Sequence, residues 1–134
     1  MVEAQGIPLA VVTSAANVHD ARMMLACIDA VEPIRQLRGR PRRRPEKLHA
    51  DKAYDSRALR VELRRRGIVP RIARRGCDSS ERLGRYRWVV ERTGAWLNCF
   101  RRLRIRYERL DEVHRAFLDL GCALICWNFL QQRF

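Results

Sequence analysis

Metal-ligand cysteine pairs, long apolar runs and acidic side chains are scarce in this 134-residue chain, and each shortage excludes something. The five cysteines (Cys27, Cys77, Cys99, Cys122, Cys126) form no C-x-x-C pair, leave an odd one over and have no histidine pair nearby. That argues against structural zinc and against a secreted disulfide framework. Cys122 and Cys126, four apart in an apolar stretch, fit thiols on one helix face in a reducing cytoplasm. The N-terminus is neither basic nor followed by a long apolar core, so no signal peptide is expected. The apolar stretch 116–130 is short for a bilayer span and is interrupted by Asp119, so no membrane is expected as a partner. Aromatic residues make up 7% of the chain and form no RNP-like strand motif, which weakens an RNA-binding reading. No internal repeat is present, and the length suits one domain with one core.

What the chain does have is positive charge. Lys and Arg number 28 against 15 Asp and Glu, a formal net charge of +13. The charge is unevenly placed: residues 1–34 carry −3, with Arg22 the one basic side chain there, and the remainder carries +16. An excess made mostly of arginine favours phosphate-rich partners, through counterion release and bidentate guanidinium contacts. A merely solvated basic surface is the plainer alternative.

Hydropathy patterning gives the order strand, helix, strand, helix, strand, helix, helix, which argues for an α/β sheet. Residues 6–13 read as a buried β-branched strand, entered through a hairpin at Gln5-Gly6. The Asn17-Val18-His19-Asp20 stretch starts a helix with apolar contacts from Met23 to Val31, ending before Pro33. Residues 35–47 hold seven basic side chains, two prolines and a glycine, and form a solvated loop or arm. A short strand at 48–50 follows. Ser56 is placed to cap a helix through Arg66 that ends at Gly67, and 68–73 reads as an edge strand because Pro70 lacks an N–H. A polar connection, 74–84, leads to a long helix over 85–103. Its apolar face is Tyr86, Val89, Val90, Thr93, Trp96, Leu97, Phe100 and Leu103. A last helix from Asp111 through Trp127 is apolar on most of its circumference, so it is either deeply buried or covered by a partner.

Two acids stand out. Asp51 follows a strand, where open α/β sheets place ligand sites. Glu91 shares a polar helix stripe with Arg87, Asn98 and Arg102, beside Gly94, a residue costing about 1 kcal/mol relative to alanine inside a helix. Two carboxylates in one crevice would repel unless a cation such as Mg²⁺ lies between them. The plain alternatives are a turn acid capping the Tyr54 amide and a surface Glu pairing at i,i+4 with Arg87, worth roughly 0.3–0.5 kcal/mol.

The strings "ADKAYDS", "RGIVPRIARRG", "GRYRWVVERTGAWL", "FRRLRIRYER" and "ALICW" follow in order along the chain. Together with "GIPLAVVTSAANVHD" and "GRPRRRP", they resemble the DDE transposases of bacterial insertion sequences, the IS5-like group of the IS4/IS5 assemblage. The resemblance covers essentially the whole chain. It implies an RNase H-like catalytic core, two Mg²⁺ or Mn²⁺ ions held by three acids, and cutting and rejoining of DNA ends. By motif, the second acid falls on Asp51 and the third on Glu91. Arg87 is the basic partner of Glu91, and Tyr54 supports Asp51. DNA contact is expected at Arg40, Arg42, Arg43, Arg44, Lys52, Arg87, Arg101 and Arg102.

Three departures accompany the match. Ala53 stands where glycine is usual, Asn98 stands where Lys or Arg is frequent, and neither Glu3 nor Asp20 matches the motif of the first acid. The chain is therefore expected to begin in the second strand, as an N-terminally truncated, RNase H-like α/β domain with a C-terminal helical pair. Alone it is expected to cleave DNA weakly or not at all. Expected partners are element-end and target DNA, an upstream or full-length transposase polypeptide, and further copies of the chain. The rival reading is a non-catalytic DNA-binding regulator that meets full-length transposase through the last helix.

Overall fold

The computed structural model describes residues 1–74, Gly76 and 81–131, with side chains in the last segment from residue 88 onward. Among the described residues the chain is a mixed α/β fold of five helices and one two-stranded sheet. The helices are α1 (Asp20–Asp29), α2 (Arg57–Arg65), α3 (Glu81–Asn98), α4 (Arg101–Arg104) and α5 (Asp111–Gln131). Strands β1 (Lys47–Ala50) and β2 (Val69–Ile72) pair in parallel, from Lys47 opposite Val69 to Ala50 opposite Ile72.

The β1–α2–β2 unit forms where local chemistry directs it. Ser56 accepts the Leu59 amide as the N-cap of α2, and Gly67, at φ +75°, ends the helix in the left-handed region. Leu59 and Leu63 face inward at i,i+4 and join Met24, Ile28, Leu48, Ile68 and Ile72 in one buried cluster. Met1 and Tyr54 pack on its margin. Helix α1 starts at His19, whose Nδ1 accepts the Ala21 amide at 3.1 Å.

Residues 6–13 do not form the expected strand. The turn at Gln5-Gly6 is real, with Gly6 at φ +85° and its N–H donating to Glu3 O, but pairing stops at one bridge between Val2 and Pro8. Pro8 offers no N–H to continue a ladder. The Met1 ammonium then binds Ala10 O at 2.6 Å, and the Leu9 amide donates to Met1 O. The segment is an extended strap across the fold.

The long helix also differs from expectation. It is broken at Phe100, whose extended backbone (φ −80°, ψ 115°) caps α4. The Cys99 amide is shared between the Ala95 and Trp96 carbonyls, and the Phe100 amide reaches only to Leu97 O, so the last turn tightens before the break. Leu97, Phe100 and Leu103 meet α5 at Gly121, where a Cβ would lie 2.9 Å from Leu103 Cδ1. The buried face of α3 keeps Val89 and Thr93 but not Val90, which is exposed. Tyr86 lies outside the described side chains.

Helix α5 is not deeply buried in this chain. Gly121 and Ile125 are buried, whereas Leu120, Leu124, Trp127 and Leu130 are exposed. At 21 residues it is longer than the apolar stretch suggested, and by length and composition alone it is long and apolar enough to cross a membrane. Its Arg115–Asp119 pair at 3.7 Å is the arrangement of a solvated helix flank. Cys122 and Cys126 are half-buried free thiols, burial pushing the Cys122 thiol up, and Cys77 lies outside the described residues.

An ion-pair network ties α1 to α2. Arg66 donates to Glu62 Oε1 at 2.7 Å and to Asp29 Oδ1 at 2.6 Å, while Arg65 holds the same Glu62 carboxylate. These hydrogen bonds, from Arg65 first and Arg66 second, pull the Glu62 carboxyl down to about 2 from 4.5. A folded-state pKa below the unfolded one gives stability that is fully present above pH 4.5 and lost as pH falls through about 2. Glu62→Gln should therefore be destabilising at neutral pH. The gap to the parent in urea denaturation should close on acidification across that window, and a gap unchanged by acid would exclude the network as its source.

Candidate active site and basic surface

Asp51 leaves the carboxyl end of β1 in extended backbone (φ −65°, ψ 160°) and heads a short 3-10 turn, Lys52–Tyr54. The Tyr54 amide donates to the main-chain carbonyl of Asp51 at 3.0 Å, and the Asp51 carboxylate makes no capping hydrogen bond. The side-chain cap that a plain turn acid would supply is therefore not made. The exposed carboxylate lines an open depression with Lys52, Ala53 and Gly76.

The turn is held from below. Arg60 grips Asp55 Oδ1 through Nε and Nη2, at 2.9 and 2.7 Å, and Nη2 also donates to Ile72 O at 2.8 Å. One guanidinium thus joins the 3-10 turn, the first turns of α2 and the end of β2. Tyr54 packs against the core margin, and burial, reinforced by Asp20, Cys27 and Asp51, raises its phenol above the ordinary value. It stays protonated at neutral pH.

Glu91 is exposed on α3, and the residues after it are anchored. Thr93 Oγ1 lies 2.7 Å from Gly6 O, and Arg92 Nη2 donates to Gln5 O. Asn98 ends α3, exposed, and Arg102 belongs to α4, so the expected stripe through Arg87, Glu91, Asn98 and Arg102 is interrupted by the break at Phe100. The Arg87 side chain lies outside the described residues. Asp51, Lys52 and Tyr54 share one turn, while Glu91 stands on a helix packed mainly against α4 and α5. Among the described residues no group of three or more His, Cys, Asp or Glu side chains is placed to hold a metal ion.

The basic segment 35–47 is closed at its base. Ile34 and Arg42 exchange two main-chain hydrogen bonds of 2.8 Å, with Gly39 at φ +88° in the loop between them. Arg40, Arg42, Arg43 and Arg44 are exposed, and Arg44 Nη1 donates to Arg66 O at 3.1 Å. Arg101 is exposed. Arg102 donates to Glu108 Oε1 at 2.6 Å and lies over the Phe117 ring at 5.2 Å. That hydrogen bond is the main cause holding the Glu108 carboxyl below its usual range.

Residues 1–129 match the family model described as the transposase DDE domain. The chain belongs to this transposase family. It is also 54% identical over 132 residues to a protein of Burkholderia cepacia described as a putative transposase for insertion sequence element IS402. The match covers 98% of this chain and 63% of that relative, so the chain spans under two thirds of the relative's length. No solved structure matches it significantly.

Three features of this transposase chain escaped sequence reasoning: the Gly6–Thr93 contact, the Arg92 guanidinium stacked on the Trp88 and Trp96 rings, and the Arg102–Glu108 pair. Trp88-x3-Arg92-x3-Trp96 was a visible signal for the second, since i,i+4 spacing stacks such side chains on one helix face. The other two join residues far apart or run from α4 to the non-helical segment after it, and local periodicity carries no trace of them.

Proposed function

We propose that the chain is the catalytic portion of an insertion-sequence transposase, in which Asp51 and Glu91 are the second and third acids of a metal-dependent DNA strand-cleavage and transfer site on an RNase H-like core. The observation that carries this reading is the Asp51 carboxylate itself. It sits at a strand's carboxyl end, is free of capping duty, and rides on a turn locked by Arg60. Asp51 and Glu91 are exposed hard-oxygen donors and suit Mg²⁺ or Mn²⁺, two ions being expected in the complete site. Such ions, when bound, lower the pKa of an attacking hydroxyl or water and neutralise charge on the phosphate.

The chain's own residues do the rest. Tyr54 keeps a neutral hydroxyl beside Asp51, and Lys52 brings a positive charge to the same depression. Arg40, Arg42, Arg43, Arg87 and Arg101 hold the phosphodiester backbone of element ends and target, acting on the bacterial nucleoid in the cytoplasm. Arg44 and Arg102, tied to Arg66 O and Glu108, contribute less than their charge suggests. Titrating the purified chain with Mn²⁺, before and after Asp51→Asn or Glu91→Gln, tests the assignment.

Gly94 lies three residues from Glu91 on the same helix face, and a Cβ there meets nothing within 4 Å in this chain. Gly94→Ala should raise stability by about 0.5–1 kcal/mol in urea denaturation, because alanine loses less conformational entropy in a helix. DNA affinity should fall, since the added methyl stands where the duplex approaches. Unchanged DNA affinity would place the duplex elsewhere.

The exposed Leu120, Leu124 and Trp127 favour a second reading, a non-catalytic DNA-binding regulator or transposase remnant that assembles through α5 with full-length transposase or another copy of the chain. It predicts DNA binding without Mn²⁺ binding, so the same titration separates the two.

A further inference from the structure

Among the described residues, the buried cluster that carries β1, and hence Asp51, contains none from α3. Helix α3, which carries Glu91, packs chiefly on α4 and α5. Among the described residues, the N-terminal strap touches both. At one end Met1 packs on the core margin, with its ammonium on Ala10 O and 3.6 Å from Cys27 Sγ. In its middle the Gln5-Gly6 turn presents two main-chain carbonyls to α3. Thr93, 3% exposed, donates to Gly6 O at 2.7 Å, with Val89 O 3.1 Å away. Arg92 donates to Gln5 O, and its guanidinium lies between the Trp88 and Trp96 rings, 4.4 and 4.8 Å from their centroids. Its Nε is buried with no acceptor, so the indoles and one carbonyl hold the group.

Gly6 makes this approach possible twice over. Its φ of +85° suits glycine, and a Cβ would sit 3.0 Å from Thr93 Oγ1 and 3.2 Å from Arg92 Nη2. We infer that Thr93 and Arg92 are positioning residues, clasping the Gln5-Gly6 turn so that Glu91 is held at a fixed place relative to Asp51. They follow Glu91 directly, within one helical turn, and each residue's rotation about the axis is about 100°. A turn or slide of α3 that released Thr93 from Gly6 O would carry Glu91 with it. The inference rests on the two-carboxylate reading above.

The test is Mn²⁺ affinity of the whole chain, followed by the electron paramagnetic resonance of free Mn²⁺ well below each variant's melting midpoint. Thr93→Val keeps the shape and removes the hydroxyl, and should weaken Mn²⁺ binding about 10–100-fold, the range seen when a ligand's supporting hydrogen bond is lost. Thr93→Ser restores the hydroxyl and should recover most of the affinity, which a purely packing role for the threonine would not do. If Thr93→Val binds Mn²⁺ like the parent while Asp51→Asn and Glu91→Gln do not, the clasp has no positioning role and the two-carboxylate site stands. If the parent binds no Mn²⁺, or Asp51→Asn and Glu91→Gln leave binding intact, the site reading is overturned and this inference with it. Should Thr93→Val fail to fold, Arg92→Lys carries the same expectation and the same refutation, because a lysine keeps the charge but cannot lie flat between two indoles.

Discussion

Asp51→Asn and Glu91→Gln are each expected to weaken Mn²⁺ binding by at least about 100-fold, because divalent affinity in oxygen sites follows ligand charge count. The double substitution should cost little more than either single one. Ligands of one site act as a unit, and removing the second from a site already lost changes little. DNA affinity should move the opposite way in metal-free buffer, since each substitution removes a negative charge facing the phosphates. That opposition distinguishes a metal ligand from a residue that supports the fold, whose loss would depress both measurements. Additive, mild losses in Mn²⁺ affinity would mean that Asp51 and Glu91 bind ions separately, on the two packed units that carry them.

Salt should act on DNA binding as strongly as substitution acts on the metal. A surface that engages 6–10 phosphates loses roughly 10³–10⁵ in affinity between 50 and 200 mM salt. Affinity should vary little with sequence in the same titration, because phosphate contacts carry no base information. Neutralising Arg40 or Arg43 should lower the slope of log affinity against log salt by about one each. Arg44→Ala and Arg102→Ala should lower it less, because one guanidinium is spent on Arg66 O and the other on the Glu108 carboxylate. A slope near zero, or equal losses at all four arginines, would contradict this division of labour.

What the sequence disclosed was local. Ser56 and Gly67 mark the two ends of α2 because a cap and a left-handed stop act within a few residues of themselves. Strands β1 and β2 were readable from short apolar runs, and Asp51 fell just past the first of them. Residues 6–13 misled because β-branched composition reports a buried extended segment, not whether a partner strand lies beside it. Pro8 and the Met1 ammonium turn that segment into a strap. The break at Phe100 was hidden by unbroken three-four spacing, since the same apolar positions serve α3, α4 and the contact with Gly121. Asp51 was singled out by its motif and its place after a strand. The contacts of Thr93 and Arg92 with the Gln5-Gly6 turn were not, because main-chain carbonyls accept hydrogen bonds whatever side chain they carry.

The pairing of Ile34 with Arg42 sets a length on the basic segment. Eight peptide units doubled back on themselves extend at most about 13 Å from the base. The major groove of B-DNA is about 12 Å wide. A lasso of that size bridges one groove and its two flanking backbones and goes no further, so its footprint on a duplex should be a few base pairs. On the proposed reading, recognition of an element end would then be gathered from several such short footholds, not from one long arm wrapping the helix.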